Sequence, residues 1–230
     1  MNFLFVALLG YAVGALPIIH FLARARGVDL REVGTGNVGG SNLWRQVGPR
    51  LGSLGIALDI GKGVVPPLIA RLLDLGATAE VAAGMAAVAG QMWPAPLRFQ
   101  GGRGNSAAAG ALLVLSPMAM AIALVLFLVL VAPRVWSRLR KRQMGPSSVA
   151  VPLAVIIAMA SYIPTALALG IPEASVLGAA ALLLVLARRA TAPWPVDPAT
   201  GLPPKRSLTA LLLLDRPSWQ PPAEGPLAGC

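Results

Sequence analysis

Charge is scarce in this chain: of its 230 residues only 12% are Asp, Glu, Lys or Arg. A soluble domain carries roughly 25%, so an ordinary water-soluble all-helical domain is a poor reading. Acidic residues are the scarcer sign, 9 against 19 Lys and Arg. The single cysteine, Cys230, excludes a disulfide framework and a cysteine-built metal centre. The single histidine, His20, excludes a multi-histidine zinc site and leaves no Ser-His-Asp arrangement. Ala25 stands five residues after it, so there is no His-x4-Asp pair either, and His20 reads as a packing residue near the end of the first apolar segment. No cofactor and no metal are expected.

What is abundant is apolar length. The chain is 56% hydrophobic, with a mean hydropathy of +0.72. Met1–Ala23, Val81–Leu97, Asn105–Pro133 and Val149–Pro172 contain no charged residue, and about 20 apolar residues cross a bilayer core. The first of these has no basic start and reads as a retained span, not a cleaved leader. The net charge of +10 could suggest nucleic acid. In so lipid-compatible a chain it fits anionic headgroups and membrane orientation better, and no nucleic-acid partner is expected.

Candidate spans are 3–23, 51–71, 79–97, 105–116, 118–133, 148–169 and 172–188. The stretch 105–133 is one long helix or two short ones parted at Ser116-Pro117, where proline removes a backbone donor. Charge decides. With the break and an outside N-terminus, all of the 19 Lys and Arg except Lys62 and Arg71 fall on cytoplasmic pieces, namely 24–50, 98–104, 134–147 and 188–230. The expected fold is all-α: a polytopic membrane protein of about seven transmembrane helices, two of them short, with cytoplasmic glycine-rich loops. Residues 1–188 form the membrane domain. Residues 189–230, rich in proline, read as a cytoplasmic tail, with Ser207–Asp215 as a short interfacial helix.

Polar residues concentrate in a few places. Phe99-Gln-Gly-Gly-Arg-Gly-Asn-Ser106 is a basic glycine loop between apolar segments, at the start of a new helix. Bare backbone, an arginine and a helix N-terminus together suit an anion, here a phosphate-bearing substrate at the bilayer edge. In Val33–Arg45, Gly34, Gly36, Gly39 and Gly40 alternate with Thr35, Asn37, Ser41 and Asn42. Small hydroxyl and amide side chains offer hydrogen bonds without bulk, and Arg45 can grip a phosphate through two parallel bonds. A flexible connecting loop is the plainer alternative. No Gly-Lys-Ser/Thr follows, so this is not a Walker loop. Asp59 and Lys62 stand one helical turn apart inside the second span. They pair with each other or orient the neighbouring loops, with Gly61 and Gly63 permitting a close helix contact. Ser147 and Ser148 open the sixth span as caps or as substrate-binding groups.

These segments carry a family likeness. Gly34-Thr-Gly-Asn-Val-Gly-Gly-Ser-Asn-Leu-Trp-Arg45 resembles the G-S-G-N-x-G-A-T-N-x-x-R motif of bacterial acyl-phosphate:glycerol-3-phosphate acyltransferases of the PlsY type. Leu58-Asp-Ile-Gly-Lys-Gly63 is similar to that family's L-D-x-x-K-G. Gly90-Gln-Met-Trp-Pro94 with Phe99-Gln-Gly-Gly-Arg-Gly104 is similar to G-H-x-x-P…F-x-G-G-K-G. Gln91 stands where the family has His, and Arg103 where it has Lys. The family's C-terminal H-R-x-N-I-x-R-L motif is not recognisable after Ala187, where only Arg188-Arg189 and the proline-rich tail follow.

The resemblance implies a membrane enzyme of phospholipid synthesis in the bacterial inner membrane. Its partners would be acyl phosphate, glycerol 3-phosphate and membrane lipid, and its product lysophosphatidic acid. It also implies roles. Gly101, Gly102 and Gly104 would hold the acyl-phosphate head. Arg45 and Arg103 are the catalytic candidates, holding phosphates. Thr35, Asn37, Ser41, Asn42, Ser147 and Ser148 are substrate-binding candidates, and Asp59 and Lys62 orienting ones. The rival readings are a catalytically altered, lipid- or phosphate-binding relative and a small transporter. The sequence says nothing of oligomeric state.

Overall fold

A computed structural model describes residues 2–141 and 150–191. Those residues form α1 (Asn2–Gly14), α2 (Ile18–Arg24), α3 (Gly40–Gln46), α4 (Pro49–Leu72), α5 (Ala77–Met92), α6 (Asn105–Leu115), α7 (Pro117–Lys141), α8 (Ala150–Ala168) and α9 (Pro172–Thr191), with a 3-10 turn at Ala95–Leu97. Among the described residues there are helices and connections only. Four stretches are long and apolar enough to cross a bilayer: Phe3–Arg24, Pro49–Leu72, Val151–Ala168 and Pro172–Thr191. Asn105–Leu115 and Pro117–Pro133 are shorter apolar helices.

Proline sets most of the boundaries. Ser116 takes an extended conformation and Pro117 starts α7, so 105–133 is indeed divided there, with Ser116 Oγ accepting the Ala119 N–H at 3.4 Å. The first segment, expected as one helix over 3–23, is bent at Pro17 into α1 and α2, because a proline has no N–H to continue the ladder. The segment expected over 79–97 leaves the α-helix at Met92, ahead of Pro94 and Pro96. Conversely, α7 runs through Pro133 to Lys141, past the expected end at 133, since one proline removes a single ladder bond. Helix α9 likewise continues beyond Arg188 to Thr191. Ser147, Ser148 and the interfacial helix expected at Ser207–Asp215 lie outside the described residues.

The packing suits a lipid solvent. Large apolar side chains point outward, among them Phe3, Phe5, Leu128 and Val129. The interior is lined by small ones, including Ala83, Ala87, Ala107, Ala108 and Ala111. Lipid offers no hydrophobic drive between helices, so close backbone approach through small residues is what holds them. Helix α5 is central, touching α1, α4, α6 and α9. Gly63 of α4 lies directly against the Ala107 carbonyl of α6, where a Cβ would overlap it. Gly61 faces open space, so of the two glycines flanking Lys62 only Gly63 makes the expected contact.

Buried hydroxyls tie the helices together. Tyr162 of α8 is fully buried and donates to Leu112 O of α6 at 2.9 Å. Ser175 of α9 donates to Ile163 O of α8 at 2.9 Å. Leu112 O also accepts the Ser116 N–H at 3.0 Å, so losing the phenol leaves that carbonyl one bond. Tyr162→Phe is expected to lower stability by about 1 kcal/mol, read as an earlier thermal unfolding midpoint in detergent. An unchanged midpoint would show the bond contributes nothing net.

Candidate functional site

The glycine loop is built on the end of α5. Pro94 and the 3-10 turn reverse the chain, and Arg98 and Phe99 both take left-handed backbone, with φ of 51° and 63°. Such consecutive non-glycine positions cost free energy and are held by their surroundings. Here Arg98 N–H bonds Ala95 O at 3.0 Å and Phe99 N–H bonds Pro94 O at 3.0 Å. Two glycines are obligatory. A Cβ on Gly101 would overlap Gln91 O, and Gly104 is left-handed (φ 77°) with Met92 packed where its Cβ would sit. Arg103 is partly buried between the buried Gly102 and Gly104.

Helix α6 starts from this loop. Its ladder begins with Ala108 N–H to Gly104 O at 2.8 Å, while Ala107 N–H is taken by the Gln91 side chain, Oε1, at 3.3 Å. The N–H groups of Asn105 and Ser106 have no intrahelical partner, as in any first turn. The helix dipole behind them favours negative charge at this end.

The segment 33–46 is folded around Asn42. Its second half is helix α3, which carries Ser41, Asn42 and Arg45. Asn42 is fully buried. Its Nδ2 donates to Leu30 O (3.2 Å), Val33 O (3.1 Å) and Asn37 O (3.1 Å), and its Oδ1 accepts the Thr35 N–H (3.2 Å). The Asn42 side chain is thus occupied in shaping the loop around Thr35 and Asn37. Thr35 is buried, while Ser41 and Arg45 are exposed on α3. The preceding turn is pinned by Asp29, which receives Arg24 Nη2 and Arg31 Nη2, each at 2.6 Å. The Arg31 bond, foremost, holds the Asp29 carboxyl well below the usual carboxylate range.

The two polar loops meet. Val38 of one and Gly101 and Gly102 of the other line a common small cleft. Its other polar lining comes from Asp59, Lys62 and Gln91. Lys62 Nζ lies 3.0 Å from Asp59 Oδ1, and both side chains are buried, so the pairing expected from their spacing is formed. Asp59, Lys62 and Gln91 therefore bring a buried ion pair and a carboxamide up to the backbone of the glycine loop.

Comparison with known proteins gives this arrangement a family. The family of glycerol-3-phosphate acyltransferases matches residues 4–192. The chain belongs to that family. It is 45% identical over 146 residues to the glycerol-3-phosphate acyltransferase of Myxococcus xanthus, covering 63% of this chain and 76% of that one. It is 42% identical over 117 residues to glycerol-3-phosphate acyltransferase 5 of Dehalococcoides mccartyi, and there the match spans 50% of each chain. The fold is similar to the crystal structure of PlsY (YgiH), an integral membrane glycerol 3-phosphate acyltransferase, in its glycerol 3-phosphate form. That likeness has a TM-score of 0.71 at 28% identity, over 83% of this chain and 89% of that one. The chain is accordingly an integral membrane member of that family.

One contact to the glycine loop escaped the sequence reading. Arg188, near the end of α9, reaches the glycine loop, with Nε 3.4 Å from Gly102 O and Nη2 3.4 Å from Gly101 O. Arg189 beside it is buried, one turn beyond Val185, which packs with Met92, Ala107 and Ala108. The available signal was helical spacing. Ala181, Val185 and Arg189 recur at intervals of a turn, so the buried face of α9 runs past its last apolar residue into the arginines.

Proposed function

We propose that the protein moves a fatty acyl group from acyl phosphate to the 1-hydroxyl of glycerol 3-phosphate, on the cytoplasmic side of a bacterial inner membrane with its N-terminus outside. The observation that carries the reading is the meeting of the two polar loops, at Val38 and at Gly101 and Gly102, over the buried Asp59–Lys62 pair. The hydroxyl oxygen attacks the acyl carbonyl carbon, the carbon–oxygen bond to phosphate breaks, and lysophosphatidic acid and inorganic phosphate leave. The mixed anhydride is already activated, so no covalent enzyme intermediate is needed. A phosphate oxygen takes the hydroxyl proton, which suits a site without a histidine base. The protein's share is positioning and charge stabilisation by the α6 N-terminus, Arg103 and Arg45. Thr35, Asn37, Ser41, Ser147 and Ser148 are the polar groups proposed to contact the substrates, with Asn42 holding Thr35 and Asn37 in place.

The test uses purified protein in phospholipid vesicles, supplied with an acyl phosphate and glycerol 3-phosphate. Lysophosphatidic acid and inorganic phosphate are expected in equal amounts. Vesicles that bind both substrates and yield no product would refute the reading.

A further inference from the structure

Gln91 occupies the last turn of α5 and is buried. Its backbone carbonyl accepts the Gly102 N–H at 2.9 Å, and its side-chain Oε1 accepts the Ala107 N–H at 3.3 Å. One residue thus holds both the middle of the glycine loop and the first turn of the helix that follows it. Asp59, Lys62 and Gln91 line one cleft. A carboxamide has an acceptor end and a donor end. Oε1 is the acceptor end that takes the Ala107 N–H. A hydrocarbon side chain cannot do that job.

We propose that Gln91 is the positioning residue of the glycine loop, its backbone carbonyl holding Gly102 and its carboxamide holding the first turn of α6 beside the buried Asp59–Lys62 pair. The inference rests on the reading of that loop as the phosphate-binding element. Loop amides aimed at a developing charge stabilise it only when held in place beforehand. Gln91 supplies that hold from the rigid end of a helix rather than from the loop. Because it does not titrate, the hold is independent of pH. Asp59 and Lys62 of α4 line the cleft with it, the loop it holds carries Arg103, the Tyr11 phenol of α1 donates to Trp93 O at 2.7 Å, and Arg188 of α9 reaches Gly101 O and Gly102 O.

Gln91→Glu and Gln91→Leu separate this role from mere space-filling. Both are measured in vesicles across pH 5.5–8 against the wild-type chain. A protonated Glu can accept from Ala107 as Gln does, whereas an ionised one adds a second negative charge to the cleft that holds Asp59. Gln91→Glu is therefore expected to approach wild-type kcat/KM in acid and to fall about 10-fold or more below it as pH rises, and Gln91→Leu to be about 10-fold or more down throughout. A Gln91→Glu profile parallel to wild type overturns the proposal. A second readout needs no turnover. Amide hydrogen exchange over 101–108 is expected to quicken in Gln91→Leu while α8 stays unchanged, and unchanged exchange over 101–108 also overturns the proposal. A wild-type chain that makes no lysophosphatidic acid would refute the proposed reaction instead, and the exchange measurement would still decide the role of Gln91.

Discussion

Arg103→Ala is expected to lower kcat/KM for the proposed acyl transfer by about 10²–10³-fold, the usual cost of removing one preorganised stabiliser of transition-state charge. Arg103 sits between the buried Gly102 and Gly104, two residues ahead of the first helical residue of α6. Charge leaving with phosphate would therefore meet a guanidinium and a helix N-terminus together. Arg103→Lys is expected to recover much of the loss, because an ammonium supplies the charge while lacking the planar fork. The measurement is lysophosphatidic acid formed against the concentration of each substrate, with thermal unfolding as the check on folding. Arg103 is only partly buried, so its midpoint is expected to move little. Turnover unchanged in Arg103→Ala would mean that the phosphate docks elsewhere.

The parts of this molecule that were legible in the sequence are those governed by local rules. A proline after an apolar helix removes a donor wherever the chain goes, so the break at Ser116-Pro117 could be read directly. The bend at Pro17 obeys the same rule, yet charge placement did not require it. A buried Asp and Lys one turn apart can reach each other whatever surrounds them, and Asp59 and Lys62 do. Gln91 and Asn42 are different. Each acts through bonds to backbone groups brought near by tertiary structure, Gly102 and Ala107 for Gln91 and Leu30, Val33 and Asn37 for Asn42. Composition marks them only as polar residues near glycine. Arg188 fell at the edge of an apolar run and read as the last residue of the membrane domain, although the helix carrying it continues to Thr191.

The buried ion pair gives the second large effect. Asp59→Leu is expected to destabilise the protein by about 3–5 kcal/mol, because it leaves the Lys62 ammonium buried without its partner. The lipid setting makes the uncompensated charge dearer still, since a lone Lys in a span costs roughly 2.5–3.5 kcal/mol on insertion scales. The converse variant, Asp59→Leu with Lys62→Met, removes both charges together and is expected to regain most of the stability, as buried pairs replaced by apolar groups often do. Unfolding midpoints of the two variants in one detergent decide the point, and equal losses would show that the pair is not coupled. Activity then separates architecture from chemistry. Lys62 and Asp59 line one cleft with Gln91, Gly101 and Gly102. The double variant should therefore fold and yet turn over substrate poorly. If it folds and works at the wild-type rate, the pair holds the helices together and has no part in orienting the loop.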